Sequence, residues 1–406
     1  MKVLILTQGF YPDTVSVAQH AEDLAKTLVD RGHGVNVFTS KFTYENNEEI
    51  EGKFEIYHGI KIHRIRNTRF SKRRILGRLS NFLSFNIILF FRLLFFSKKE
   101  YDLILGMTLP PFVSFFGVII AKLKRKKFAY WVMDVQPGLA IVSGMIKEGS
   151  FMAKFWQYIG DFICRKSDTI IVLDRFMKEH LLERKIAEEK MHVVPVWPIM
   201  VHTYEGKRLE NPFRIKHEFG DRIVIMYSGN HSLVHPLDDI LEVALNLRND
   251  DRFLFVFIGG GIRTEDVRVF KEKHNLDNIR QLPFQPRKDV HISLGSSDLQ
   301  LVILGDGQVG YTHPNKLYGA IFIGKPVIYI GPSESHVQDI IQHLPGNISV
   351  EFGQVQSLQH QIVAFAEADE SEREEIGKRN QLYAQQNFDP MMLRNRMVDV
   401  LHSTII

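Results

Sequence analysis

The sequence predicts an α/β protein made of two consecutive, open, doubly wound domains of mostly parallel sheet. Three observations carry this. The chain has 406 residues, more than a single hydrophobic core ordinarily serves. Short apolar runs alternate with amphipathic stretches from end to end, as repeated strand–helix units do. The plan also begins afresh at RIVIMYSGN (222–230), which has the character of the opening KVLILTQ.

Taken in order, KVLILTQ (2–8) is a buried strand, and SVAQHAEDLAKTLVDRG (16–32) is an amphipathic helix stopped by Gly32. VNVFTS is the next strand. DLILGM, FAYWVMD and TIIVLD are strands each followed by helical pattern, and MHVVPVWPI closes the half. In the second half RIVIMYSGN leads into the helix PLDDILEVALNLRND, and FLFVFIGGG is a strand ending in glycines. IRQLPF, the helix-like HISLGSS, DLQLVIL, the stretch THPNKLYGAIFIGK and the strand VIYIG follow. Residues 367–378 read as a solvated helix face, and PMMLRNRMVDVLHSTII as a final amphipathic helix. The expected domains are 1–200, 201–388, and a C-terminal helix, 389–406, returning to the first domain.

Apolar residues make up 45% and charged residues 24%, which excludes a disordered or fibrous chain. The one cysteine, Cys164, excludes an internal disulfide and fits a core position. The opening residues hold too short an apolar run for a signal-peptide core, so a cytoplasmic protein is expected. Net charge is +4, yet residues 61–127 hold sixteen Lys or Arg against two acids, leaving a block of +14 and about −10 elsewhere. That block calls for an anionic partner or a solvated surface. Leu103 to Ala121 has no charge over nineteen residues, but Pro110 and Pro111 near its middle favour a strand, a turn and a helix over a membrane span. Phe82 to Phe96, rich in Phe and Leu and flanked by Arg and Lys, reads as a core helix or as one lying on an anionic membrane face. No aromatic-spaced or recognition-helix pattern supports nucleic acid.

Ligands of such sheets bind outside the carboxyl ends of the strands, here across an expected central cleft. The informative loops therefore follow apolar strands. Lys316 falls in the first turn of an apolar helix, where the helix dipole disfavours a cation. A diphosphate removes the difficulty, because helix-start amides and an ammonium both favour anions. Pro314 is preorganised for a helix start, and Thr312 or His313 is a candidate cap. Ser228–Ser232 and Ile258–Gly261 are glycine turns at strand ends, and Leu282–Pro286 is either a wall for a base or a plain loop. Asp134, after FAYWV, is either a helix cap or a group binding a sugar hydroxyl. Thr108–Pro111 and Gly9–Asp13 lie at the same sheet edge, with His20 nearby. There is no Asp-x-Asp pair for Mg²⁺ and no zinc spacing.

MKVLILTQGFYPD, RGHGVNVFTS, TLPPF with WVMDVQP, SDTIIVLDRFMKEHL, YSGNHS with PLDDILEVA, FIGGG, LPFQPR and PNKLYGAIFIGKPVI, in this order, resemble a family 4 glycosyltransferase of the GT-B fold. The PP and D-x-x-P segments with PNKLYG look like the branch that adds fucosaminyl- or fucosyl-type sugars in bacterial O-antigen and exopolysaccharide assembly. The resemblance implies a nucleotide sugar held by the second domain, a lipid-linked or saccharide acceptor held by the first, no cofactor, no metal requirement, and retention of anomeric configuration. UDP-sugars are the favoured donors, with GDP-sugars the other option. The catalytic candidates are Lys316 and Asp134. The candidate donor contacts are Gly229, Asn230, Gly259, Gly260, Phe284, Asp306, Pro314, Asn315, Lys316 and Leu317. The family's usual Glu-x7-Glu pair would align near Tyr311 and Gly319, and its usual Arg and Lys on Asn230 and His235; only Asp306 offers a replacement carboxylate. Two other readings stand beside transfer: a GT-B-fold sugar-nucleotide epimerase, and a non-catalytic partner of another transferase.

Overall fold

The computed structural model describes residues 1–44, 47–70, 75–142, 144–199 and 202–406. Part of the basic flank, Lys72–Arg74, and the expected boundary at residues 200 and 201 lie outside them. The chain divides into two compact units, one of residues 1–196, 310–313 and 391–406 and the other of residues 197–309 and 314–390. The second unit is thus interrupted by four residues, Gly310–His313, that the sequence reading had placed within it.

In the first unit the strands are β1 (Lys2–Leu6), β2 (Gly34–Ser40), β3 (Phe54–Tyr57), β4 (Ile60–Ile65), β5 (Leu103–Gly106), β6 (Lys127–Trp131), β7 (Thr169–Val172) and β8 (Met191–Val193). They form one sheet in the order β3-β4-β2-β1-β5-β6-β7-β8, parallel except for the β3–β4 hairpin. Its helices are α1 (Ser16–Asp30), α2 (Ile75–Phe95), α3 (Val113–Lys124), α4 (Gly138–Val142), α5 (Phe151–Lys166) and α6 (Arg175–Glu183). The hairpin went unread in the sequence because its charged residues merge with the basic block. Leu103 to Ala121 divides as expected into β5, a Pro-containing loop and the start of α3. No helix among the described residues is long and apolar enough to cross a membrane. Cys164 is 3% exposed, and burial pushes its thiol up to about 12.

The second unit contains α7 (Pro212–Lys216), β9 (Ile223–Asn230), α8 (Asp238–Asn246), β10 (Phe253–Gly260), α9 (Thr264–His274), β11 (Ile279–Leu282), α10 (Val290–Gly295), β12 (Leu299–Ile303), α11 (Lys316–Phe322), β13 (Val327–Ile330), α12 (His336–Ile341), β14 (Ile348–Val350), α13 (Val355–Glu367) and α14 (Glu370–Asn387). The final helix, α15 (Pro390–Ser403), belongs to the first unit from Met391 onward. The second sheet is wholly parallel, in the order β11-β10-β9-β12-β13-β14.

Both faces of this sheet are covered, which explains the continuous apolar runs. Ile225 and Tyr227 of β9, with Phe255 and Phe257 of β10, join one core with Leu241 and Ile362. The intervening Val224, Met226, Leu254 and Val256 join the other with Phe213, Phe219 and Leu294. At the amino end of β9, buried Asp298 accepts from the Val224 amide at 2.8 Å and from Arg214 Nη1 at 3.1 Å, which fixes the strand beside β12.

Candidate functional site

The carboxyl ends of β9 and β10 meet in register, with Gly229 paired to Gly259 and Asn230 to Gly260. A side chain has no room there. Gly229 holds φ +134°, and a Cβ on it would stand 2.7 Å from Lys316 Cε and 3.2 Å from Nζ. Gly259 holds φ +127°, and a Cβ on it would meet the Gly229 carbonyl oxygen at 2.1 Å. The Phe284 ring, 47% exposed, lies against this pair of strand ends; Cβ atoms on Gly259 and Gly260 would touch it at 3.1 and 3.2 Å.

Lys316 is the first residue of α11 and reaches back over β9. Its ammonium sits 4.7 Å from the centre of the Tyr227 ring, a cation–π contact. Among the described residues it has no carboxylate partner and no hydrogen bond. Burial lowers its pKa to about 8. The Tyr227 hydroxyl in turn donates to the Asn230 carbonyl at 2.8 Å, holding the loop after β9. That loop joins its neighbours through the His231 amide to the Gly260 carbonyl (2.8 Å), the Arg263 amide to the His231 carbonyl (3.0 Å), and the Gly305 amide to the Val234 carbonyl (3.2 Å). The structure therefore brings Gly229, Asn230, Gly259, Gly260, Phe284 and Lys316 to one edge of one sheet.

Other candidates fall elsewhere. The N-cap of α11 is Asn315, without a side-chain cap bond, so neither Thr312 nor His313 caps it. His313 is instead bonded through Nδ1 to the buried Asp174 carboxylate at 2.7 Å, and Asp174 also caps α6 by accepting from the Met177 amide. Pro314 precedes the helix by two residues, and its carbonyl accepts from the Leu317 amide at 3.3 Å. Leu317 is a correction: its side chain is fully buried, and its amide is already used. Asp306 is exposed beyond β12, and its charge acts on Tyr329. Gly319 is buried in α11, and Tyr311 packs in the hollow at Gly138, where a Cβ would meet its ring at 1.9 Å. Tyr311 also touches His180, and its carbonyl accepts from the Val135 amide at 2.9 Å, which is why this segment belongs to the first unit.

In the first unit, Asp134 lies four residues ahead of α4 and is no helix cap. Half-buried and without a hydrogen-bond partner among the described residues, its carboxyl is pushed up to about 6 by desolvation. The Gln8 amide donates to the Leu109 carbonyl at 2.8 Å, so the loops after β1 and β5 are neighbours, as read. His20 is buried, with Nδ1 2.8 Å from the Ser16 carbonyl, a structural contact. On α2, Leu79, Leu83, Ile87, Phe91, Leu94 and Phe95 stay exposed in a helical row while Phe85, Leu89 and Leu93 face the core. A second exposed row on α5, Phe151, Met152, Phe155 and Tyr158, was not singled out in the sequence.

Residues 16–197 match the model of the glycosyl transferase 4-like domain. The chain is 21% identical over 361 residues, 85% of its length, to WcaI of Escherichia coli (strain K12), assigned to colanic acid biosynthesis as a glycosyl transferase and covered over 87% of its own length. Residues 16–197 thus resemble a glycosyl transferase 4-like domain, and the chain as a whole has the GT-B fold. The crystal structure of Anabaena Alr3699/HepE in complex with UDP-glucose resembles this chain with a TM-score of 0.74 at 14% identity, covering 99% of this chain and all of the other. WaaG, a glycosyltransferase involved in lipopolysaccharide biosynthesis, gives 0.71 at 14% identity over 98% of this chain and 99% of its own. At these identities the likeness is one of fold. The chain has glycine-lined strand ends and a cation beside them, but Tyr311 and Gly319 stand near where the resemblance places two acids.

Proposed function

We propose that the protein transfers a sugar, with retention of anomeric configuration, from a nucleoside-diphosphate sugar to a membrane lipid-linked or saccharide acceptor in cell-surface polysaccharide synthesis. UDP-sugars are the favoured donors; HepE has been crystallised with UDP and with UDP-glucose. The observation that carries this is Lys316, an ammonium held at desolvating cost against Gly229 with no anion among the described residues to meet it. A diphosphate supplies the missing charge, and the side-chain-free ends of β9 and β10 let it approach the backbone. As the glycosidic bond breaks, negative charge grows on the leaving diphosphate, and a cation fixed beside it stabilises that change more than the ground state. No divalent ion enters this account, because Lys316 and backbone amides provide the positive end. Phe284, exposed on one side and seated on the glycines at positions 259 and 260, offers a face for the nucleobase.

Asp134, in the first unit, is assigned to the acceptor or sugar hydroxyl; a carboxyl raised to about 6 is a ready hydrogen-bond acceptor near neutrality. The exposed row on α2, with exposed Arg92, Lys98 and Lys99 beside it, supports seating on an anionic membrane surface, apolar side chains at the acyl boundary and cations at the headgroups. The test is incubation of the protein and acceptor-bearing membranes with a panel of labelled UDP- and GDP-sugars. Label transferred to lipid or saccharide is expected. Conversion of donor to a sugar isomer without acceptor would instead establish the epimerase, and nucleotide binding without either reaction the non-catalytic partner.

A further inference from the structure

Two histidines beside Lys316 have no role in the reading above. His231, the residue after β9, is 1% exposed, and its ring meets the edge of Tyr227, the same ring that carries the Lys316 ammonium, at 4.9 Å. Among the described residues neither ring nitrogen makes a well-formed hydrogen bond, although the Gly260 and Gly229 carbonyls lie close enough to act on the ring. His235, in the same loop, has an unpartnered Nδ1. Ser232 Oγ, Arg263 Nε and Thr264 Oγ1, on this loop and the one after β10, are buried and unpartnered too. Buried polar atoms nearly always find partners, so six of them on two adjoining loops imply a partner that arrives from outside.

The charges around them specify its sign. His231 and His235 face Lys316 of α11, Arg263 ahead of α9, each other, and the phenol of Tyr227. The acids at hand, Asp238 and Asp266, are engaged by Arg263 at 3.3 and 3.8 Å. Burial first of all keeps both imidazoles neutral, His231 down to about 4, and Lys316 acts in the same direction; the Gly260 carbonyl and, less, the Gly229 carbonyl oppose this at His231, and the Ile303 carbonyl at His235. A diphosphate ester carries more negative charge than Lys316 alone can balance, with Arg263 already shared between two carboxylates.

Resting on the assignment of this edge to the donor, we propose that His231 and His235 are direct ligands of the nucleoside diphosphate, and that one of them takes a proton from solvent as the diphosphate seats. The ring nitrogen's lone pair receives the proton; no bond within the protein is broken. The imidazolium then donates to a phosphate oxygen beside Lys316, and nucleotide binding and proton uptake become a single event.

Calorimetric titration of the full chain with UDP at about pH 7, in two buffers of unlike ionisation enthalpy, reads this directly. The expected result is a heat that differs between buffers by uptake of roughly one proton per UDP. In the double variant His231→Asn/His235→Asn that difference disappears and affinity falls about ten-fold or more. Equal heats in both buffers with UDP bound, or undiminished uptake in the double variant, overturn the proposal while leaving the donor site standing. No heat with either UDP or inorganic pyrophosphate overturns both. If the double variant does not fold, the imidazole proton resonances of the unaltered chain decide: UDP must move one histidine to imidazolium positions, and a spectrum that stays still refutes the assignment.

Discussion

Replacing Lys316 by Met separates what the ammonium does for the ligand from what it costs the fold. Burial holds its pKa at about 8 against an ordinary 10.5, so the native state binds this proton less well than the unfolded chain. Below pH 8 both states are protonated and the penalty is full, about 3 kcal/mol. Between 8 and 10.5 the unfolded state holds the proton and the native state does not, so stability rises with pH there, and above 10.5 the penalty is gone. The Tyr227 contact returns about 0.5–1 kcal/mol. Met fills a similar volume and favours the first turn of a helix better than a cation does. The second unit of Lys316→Met should therefore be more stable by about 2 kcal/mol near neutrality, a rise of roughly 4–8 °C in its calorimetric transition. By about pH 9.5 the advantage shrinks by more than half. UDP affinity should fall at least about ten-fold, because a charge-assisted bond is lost. A variant that is less stable than the parent and binds UDP equally well would refute the reasoning, since Lys316 would then be a structural residue.

Other outcomes follow from the same geometry. Gly229→Ala places a methyl 2.7 Å from Lys316 Cε in a left-handed backbone region, so UDP affinity drops and the second unit loses about 1–3 kcal/mol, read by calorimetry and thermal unfolding. Asp134→Asn should cut sugar transfer about ten-fold or more without altering UDP affinity. It should also stabilise the first unit near neutrality, because a carboxyl raised from 3.8 to about 6 penalises the fold above pH 6, and this gain should vanish as pH falls through 3.8. Leu83→Glu with Phe91→Glu, both exposed on α2, should weaken co-sedimentation with phosphatidylglycerol vesicles about ten-fold or more while leaving nucleotide binding intact.

The alternation of strands and helices was legible because parallel strands covered on both faces leave unbroken apolar runs such as FLFVFI and IVIMY. The β3–β4 hairpin was not, since FEIY has exposed positions and IKIHRI sits inside a charge block. Within the site, Lys316, Gly229 and Gly259 were readable because each is an anomaly in its local pattern: a cation at a helix start, and glycines closing apolar strands. His231 and His235 left no such mark. Their burial beside Lys316 depends on the register of β9 with β10 and on where α11 begins, neither of which is a local property. The same holds for His313, read as a helix cap and found bonded to Asp174, 139 residues away. Leu317, one of the candidate donor contacts, turns its side chain into the core at that step of the helix.

Hydrogen exchange of the backbone with and without UDP tests the central claim most directly, that the strand ends of the second unit and Lys316 form the donor site. Protection should appear in segments 228–235, 258–264 and 314–318 and, at a UDP concentration near the parent's Kd, be much reduced in these in Lys316→Met. Protection confined to the first unit, or equal in parent and variant, would contradict the assignment.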